Sequence, residues 1–398
     1  MKKKVPVSEL RFGMYVAELD RPWTETPFRF QGFVLASEQQ LETLRKYCKS
    51  VVVDSERSGT LADAPRPGMQ FFGKTVHTEK ASVEQELGAA RAAFANSHTL
   101  IQEALASVRV GRTLDAERVR AAVRDLTGSV LRNPDAMMLF AQLREKGEYA
   151  VSHSLDVSIY MAAFGRFLQL DQAQIELLGY LGMLQDIGKV RLPKTLLEKR
   201  GRLSIEEFEQ AKLHVNYSVE ILRATAGIPI ELPRLATLHH ERHDGSGYPN
   251  RLQGQDIGMI GAIAAIVDTF DALTVKRPYA EPVSPSTAIS MLYKWRGVFF
   301  DANLVEQFIR CIGIFPVGSL VQLNSGEAGV VVAQNPARRL LPRVMVVRDA
   351  EGNPMKPHKM LDLSRAPKAT RDEPYRILGT LEYGAVPFDP DELFVKPA

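Results

Sequence analysis

The sequence predicts a mainly α protein: a helical bundle with a small α/β module ahead of it and a small β-rich appendage behind. Three observations carry this expectation. From about Thr78 to residue 312, apolar residues recur at threes and fours, the repeat of one helix face after another. Ahead of that stretch, short β-rich runs surround a single helical pattern. Beyond Gly313 the helical repeat stops and clusters of β-branched residues take over.

The chain has 398 residues, enough for two or three domains. Hydrophobic residues make up 45% and charged residues 24%, the balance of a soluble globular protein. A net charge of +3 gives no electrostatic case for a nucleic-acid or membrane partner. Cys48 and Cys311 stand far apart, which fits a reducing compartment without a disulfide framework. Met1-Lys2-Lys3-Lys4 carries the charge of a secretory leader, but Val5 to Arg11 is too short and polar for its apolar core. No run approaches the roughly 18 apolar residues of a membrane span. The expected location is the cytoplasm.

Residues 1–54 read as an α/β regulatory module without clustered ligands. Strands are expected around Val5–Val7, Tyr15–Glu18, Phe30–Leu35 and Val51–Val53. A helix starts at Ser37, a good N-cap, and runs to about Tyr47 with Leu41 and Leu44 on one face. Gly59, Pro65, Pro67 and Gly68 mark residues 55–78 as a linker. A helical connector follows over 79–144. One long helix covers 79–109 with Gly111 at its end, a second runs from about Asp115 to Leu131, and Asn133-Pro134 opens a third. This connector extends the following bundle or forms a dimer-like stalk.

The helices of residues 145–312 carry the chemistry. His153 sits on the apolar face set by Val157, Tyr160, Met161 and Phe164. The helix Ile175 to Val190 is apolar almost all round, yet it contains Asp186, with Lys189 one turn away. Ser204-x-x-Glu207 is a capping box opening a helix to about Arg223, on which His214 shares a face with Ala211, Ser218 and Ile221. His239 and His240 end the next apolar segment, and Ile257 to Thr274 is apolar but for Asp268 and Asp271. Singly, each buried His is more often a satisfied core residue than a ligand. Together, four histidines and two aspartates on successive buried faces conflict with the scarcity of buried charge, and one polynuclear metal site accounts for all six.

The order His153, Asp186-x-Gly188-Lys189, His214, His239-His240-Glu241, Asp244-Gly245-x-Gly247-Tyr248-Pro249, Asp268 and Arg277-Pro278-Tyr279 resembles the HD-GYP family. That family belongs to the all-α HD phosphohydrolase superfamily and hydrolyses the bacterial messenger cyclic di-GMP. The resemblance covers about residues 145–312. Residues 4–54, with Gly13-Met14-Tyr15-Val16, Leu19-Asp20-Arg21-Pro22-Trp23 and Pro27-Phe28, resemble a small domain of unknown function often found ahead of such domains. The resemblance implies an HD-type helical bundle with a two-metal centre of iron or manganese. His153 and Asp268 would bind the first ion, His214, His239 and His240 the second, and Asp186 would bridge them. A metal-activated water would attack the phosphorus in line, with Asp186 and Lys189 as the catalytic pair and Lys189 and Arg277 holding the phosphate oxygens. Implied partners are cyclic di-GMP, diguanylate cyclases or other signalling proteins at the Asp244–Pro249 loop, and a second copy of the chain.

Three departures bear on that reading. The family's His-Asp dyad is Gln185-Asp186 here, and Gln offers only a neutral amide oxygen where the family has an imidazole. Tyr149 occupies the position of the Glu that members with a third metal carry, since Glu148 is one residue out of register. Ala280-Glu281 replace the basic residue usual after Arg-Pro-Tyr. The expected function is therefore a cyclic di-GMP signalling protein, a phosphodiesterase by family with reduced or absent hydrolysis. The alternatives are a non-catalytic receptor or scaffold, or an HD-type hydrolase of other nucleotides.

Residues 313–398 form the β-rich appendage, with strands expected at Ser319–Leu323, Ala328–Ala333 and Arg343–Arg348. Asn324-Ser325-Gly326 and Glu351-Gly352-Asn353-Pro354 supply turns. No chemistry is expected there, and His358 reads as isolated and solvated.

Overall fold

The computed structural model describes residues 2–10, 14–21, 26, 28, 33–35, 38–54, 73–143, 149–277, 281–335 and 338–382. Most of the expected linker, together with Gly13, Pro22, Trp23, Pro27, Ser37, Glu148, Pro278, Tyr279 and Ala280, lies outside them. The chain divides into two compact units, Met1–Gln70 and Phe71–Ala398.

In the first unit, β1 (Lys2–Pro6), β2 (Tyr15–Leu19), β3 (Phe33–Val34), α1 (Glu38–Tyr47) and β4 (Ser50–Asp54) follow in order. The sheet order is β1-β4-β2-β3, with every pairing antiparallel. Alternate residues of β4, Val51 and Val53, point into a core with Val5, Val16, Leu41 and Leu44. Asp20 fixes the turn between α1 and β4 by accepting the backbone N–H groups of Lys49 (2.7 Å) and Ser50 (3.0 Å).

The second unit opens with α2 (Val83–Arg109), α3 (Ala116–Arg132) and α4 (Pro134–Leu143). The start of α2 is set by a capping box in which Ser82 and Gln85 satisfy each other's backbone N–H groups. Glu86 is buried on α2 because Arg132 and Ser129 of α3 bond it at 2.7–2.8 Å. These helices pack against α5 (Tyr149–Phe167) and α6 (Gln172–Leu184). Close approach depends on glycine: a Cβ on Gly182 would lie 2.6 Å from the Ser158 backbone of α5. That contact brings the end of α6 to His153.

Then come α7 (Lys194–Leu197), α8 (Ile205–Arg223), α9 (Leu232–Leu235), α10 (Gly258–Thr274), α11 (Pro285–Trp295) and α12 (Ala302–Ile312). Phe164 of α5, Phe270 of α10 and Phe308 of α12 meet edge to face at 5.2 and 5.3 Å and fill the core below the site. Two expectations are corrected here. The helix expected over Ile175–Val190 ends at Leu184, and the chain tightens to a 3₁₀ turn over Ile187–Arg191, so Asp186 stands between two helices. Gly188 explains the break: its N–H donates to Ser218 Oγ (2.9 Å), and its missing side chain lets the turn lie on α8. His239 and His240 lie on turns beyond the single-turn α9, not on a helix.

Gly254–Thr274 is, among the described residues, long and apolar enough to cross a membrane, contrary to the expectation that no run approaches that length. Its C-terminal half carries the buried Asp268 and Asp271, and its apolar face packs on α5, α6, α11 and α12.

The C-terminal sheet has strands β5 (Leu320–Leu323), β6 (Ala328–Ala333), β7 (Arg343–Arg348), β8 (Pro354–Asp362) and β9 (Ile377–Thr380), in the order β8-β7-β6-β5-β9. Sequence reasoning found the first three. It missed β8, which contains two prolines and is mostly exposed, and the short β9. His358 is half-buried on β8 rather than solvated. The sheet is tied to the helices by Asp135 of α4, whose carboxylate accepts the Gln334 N–H at 2.8 Å.

Candidate metal centre

Five segments deliver the site. α5 supplies His153, the break after α6 supplies Gln185, Asp186 and Lys189, α8 supplies His214, the turn after α9 supplies His239 and His240, and α10 supplies Asp268 and Asp271. All six residues expected as ligands converge. Their ligand atoms form two groups, Asp186/His214/His239/His240 and His153/Asp186/Asp268, each with its atoms within 4.8 Å of one another. Asp186 belongs to both, as a bridging carboxylate would.

The first group is a network of donors and carboxylates. His153 Nδ1 lies 2.6 Å from Asp271 Oδ2, and its Nε2 lies 3.1 Å from Asp268 Oδ1 and 3.2 Å from Asp186 Oδ2. Gln185, 1% exposed, donates Nε2–H to Asp268 Oδ1 at 3.1 Å, while its Oε1 is a buried acceptor with no hydrogen-bond partner. Lys189 Nζ donates to Asp186 Oδ2 at 2.6 Å. Tyr149 stacks on the His153 ring at 5.3 Å.

At the heart of the second group, the acceptors of His214, His239 and Asp186 face one another. His214 Nδ1 donates to the Ala211 carbonyl (2.7 Å) and His239 Nδ1 to the Ala236 carbonyl (2.9 Å). A carbonyl only accepts, so in the neutral rings Nε2 carries the lone pair. Those Nε2 atoms lie 3.5 Å apart, and His240 Nε2 is 3.2 Å from that of His214. Asp186 Oδ1 lies 3.2 and 3.5 Å from the same two nitrogens and has no hydrogen bond. Buried acceptors aimed at one another fit a cation among them, and three imidazoles with one carboxylate suit a borderline divalent ion.

Electrostatics agree with this division. Burial opposes the charge of Asp186, yet the Lys189 ammonium and the His153 imidazole hold its carboxyl well below the usual range. Burial also opposes the charge of Asp268, and His153 overrides it to keep that carboxyl ionised. Against burial, Tyr149 and the carboxylates of Asp186, Asp268 and Asp271 raise His153 well above an ordinary imidazole. Burial, with His239 beside it, pushes His240 well down, so that ring stays neutral as a ligand must.

The Asp244–Pro249 loop stands next to the second group. Tyr248 N–H donates to the His240 carbonyl (3.2 Å), and its ring lies against His240 at 4.6 Å. Gly247 fits because a Cβ there would lie 2.4 Å from Arg242 N, and Gly245 takes φ +79. Asp244 accepts the Ser246 N–H and hydroxyl to close the turn, and a cis peptide joins Tyr248 to Pro249. Arg277 is half-buried just after α10. Sequence reasoning missed three supporting residues. Asp271 orients His153, Glu241 accepts the Asn250 and Leu252 N–H groups, and Arg242 bonds the Glu241 carbonyl. Asp271, one turn from Asp268 on an apolar helix, was the one with a readable signal.

Comparison with known proteins gives the chain a family. An HD domain family matches residues 136–304, a domain of unknown function (DUF3391) matches 2–119, and a KOW domain associated with HD domains matches 320–370. Over 380 residues the chain is 32% identical to a cyclic di-GMP phosphodiesterase of Pseudomonas aeruginosa, covering 93% of this chain and 91% of that one. The chain belongs to the HD-GYP family. A second relative, a 3'3'-cGAMP-specific phosphodiesterase of Vibrio cholerae, is 34% identical over 202 residues, 50% of this chain and 38% of that one. A solved HD-GYP-type structure from Bdellovibrio bacteriovorus covers 77% of this chain and 98% of its own, at 13% identity and a TM-score of 0.47, a likeness too loose to carry an argument.

Proposed function

We propose that this HD-GYP protein is a cyclic di-GMP signalling protein that binds the dinucleotide at the centre described above and hydrolyses it slowly or not at all. The observation that carries the reading is Gln185: where the family dyad has an imidazole, this chain has an amide whose N–H is directed at Asp268. Asp186, His214, His239 and His240 would hold iron or manganese, with His153 and Asp268 on the other side of Asp186. A bound ion supplies Lewis acidity and a nucleophilic water at neutral pH.

The chain's own residues account for binding and for its limits. Lys189 and Arg277 are the cations for the phosphate oxygens. Lys189 is already paired with Asp186, so its share of a phosphate is bought by loosening that pair. Asp271 and the Ala211 and Ala236 carbonyls fix the imidazole orientations before any ligand arrives. The Asp244–Pro249 loop would meet partner proteins, diguanylate cyclases among them. The same reading includes a cytoplasmic location, a homodimer, and a division into 1–54, 55–78, 79–144, 145–312 and 313–398.

A receptor or scaffold without catalysis is the second form of this reading, favoured by the intact loop beside an altered dyad. Isothermal titration of the metal-replete protein with cyclic di-GMP, beside a hydrolysis assay, tests both. Binding with little or no turnover supports the proposal. Absence of binding to cyclic di-GMP, with tight binding of 3'3'-cGAMP or another nucleotide, would sink it.

A further inference from the structure

The two halves of the centre are not equivalent, and the difference lies in where the chain's own donors stand. On the His153 side, each carboxylate oxygen that would face an ion already takes a donor from the chain. Gln185 Nε2 is on Asp268 Oδ1 at 3.1 Å, and Lys189 Nζ is on Asp186 Oδ2 at 2.6 Å. On the other side, Asp186 Oδ1 takes no hydrogen bond, the Nε2 atoms of His214 and His239 lie 3.2 and 3.5 Å from it and 3.5 Å from each other, and His240 Nε2 lies 3.2 Å from that of His214. Acceptors in contact repel unless a cation lies among them. Carboxylates already bonded to an ammonium and an amide do not need one.

From this arrangement we infer that the HD-GYP centre of this chain is mononuclear: one divalent ion held by Asp186, His214, His239 and His240, with the Gln185 amide and the Lys189 ammonium standing in for the other. Gln185 cannot easily be recruited as a ligand instead. Turning its amide to present Oε1 removes the bond to Asp268 and supplies only a neutral oxygen in place of an imidazole. The ion that remains has a complete set of four protein ligands, three of them neutral, and keeps Asp186 as its one compensating charge. The inference rests on reading the cluster as a metal centre and is independent of which dinucleotide binds.

The test is to equilibrate the full-length protein with excess Mn²⁺, remove free ion by gel filtration, count ions per chain by plasma mass spectrometry, and record the electron paramagnetic resonance spectrum. The wild type should hold one ion with the spectrum of isolated Mn²⁺. Asp268→Asn should keep that ion, whereas His239→Gln or His214→Gln should lose it. Gln185→His should raise the count toward two and introduce spin coupling between neighbours. Circular dichroism identifies any variant that fails to fold, and the wild-type and Asp268→Asn counts decide without it. Two ions in the wild type would overturn the inference, as would a single ion lost with Asp268 but retained without His239. No ion at all would overturn it together with the metal-centre reading. One ion accompanied by brisk cyclic di-GMP hydrolysis would leave it standing and sink the proposed function instead.

Discussion

Glu241, with no exposed surface, accepts the backbone N–H of Asn250 at 2.7 Å through one carboxylate oxygen and that of Leu252 at 3.0 Å through the other. One side chain thus links the residue after His240 to the far side of the Gly-Tyr-Pro turn. Glu241→Gln keeps the shape but replaces one acceptor by a donor that faces an N–H. Loss of one buried, charge-assisted hydrogen bond should cost about 1–3 kcal/mol in urea unfolding. An unchanged midpoint and slope would contradict the role assigned to Glu241.

Gly188 is the second structural key. A Cβ at this position would lie 2.1 Å from the His214 carbonyl oxygen and 2.4 Å from Ser218 N, both backbone atoms of α8. Gly188→Ala must push the Asp186 turn away from α8. Overpacking of this kind costs about 1–3 kcal/mol, and the displacement separates Asp186 from His214. Thermal melts and Mn²⁺ counts should both fall. A variant with wild-type metal content would show that the turn adapts.

Asp135 predicts a pH dependence away from the metal centre. Burial pushes its carboxyl up to about 7, from 3.8, although the Gln334 N–H, Arg166 and Arg339 oppose the shift. Between those values the folded protein binds more protons than the unfolded chain, so this group's contribution to stability falls as pH rises. The loss is complete above about 7 and is bounded at about 4 kcal/mol, from 1.36 kcal/mol per unit. Asp135→Asn keeps an oxygen for the Gln334 N–H and removes the titration. Its stability, measured by urea unfolding, should therefore decline less than that of the wild type between pH 5 and pH 8. Parallel declines would contradict the prediction.

Arg277 follows α10 and is the cation proposed for the nucleotide phosphates. Arg277→Ala should weaken cyclic di-GMP binding roughly tenfold or more, the worth of a charge-assisted hydrogen bond. Metal content should not move. Unaltered affinity in calorimetry would remove Arg277 from the binding site.

The fold class and the six converging residues were legible because each rests on a local signal: helical repeats, caps such as Ser204/Glu207, and charge on an apolar face. What stayed hidden depends on residues distant in sequence. The end of α6 before Asp186 follows from Gly188 lying on α8, some 30 residues onward, as its bond to Ser218 shows. Asp271 looked like an interruption of α10 until α5 placed His153 against it. β8 escaped because Pro354, Pro357 and exposed lysines mask its pairing with β7. The Gln185 substitution was visible in the sequence, but its bond to Asp268 required α6 and α10 together.

The central claim is that Gln185 limits catalysis while leaving recognition in place. Cyclic di-GMP turnover by the metal-replete wild type and by Gln185→His, each with its dissociation constant, measures it directly. The account predicts similar affinities and a turnover gain on the order of 10- to 100-fold or more in the His variant, the scale of a restored metal-site interaction. Brisk wild-type turnover that the substitution does not raise would contradict it.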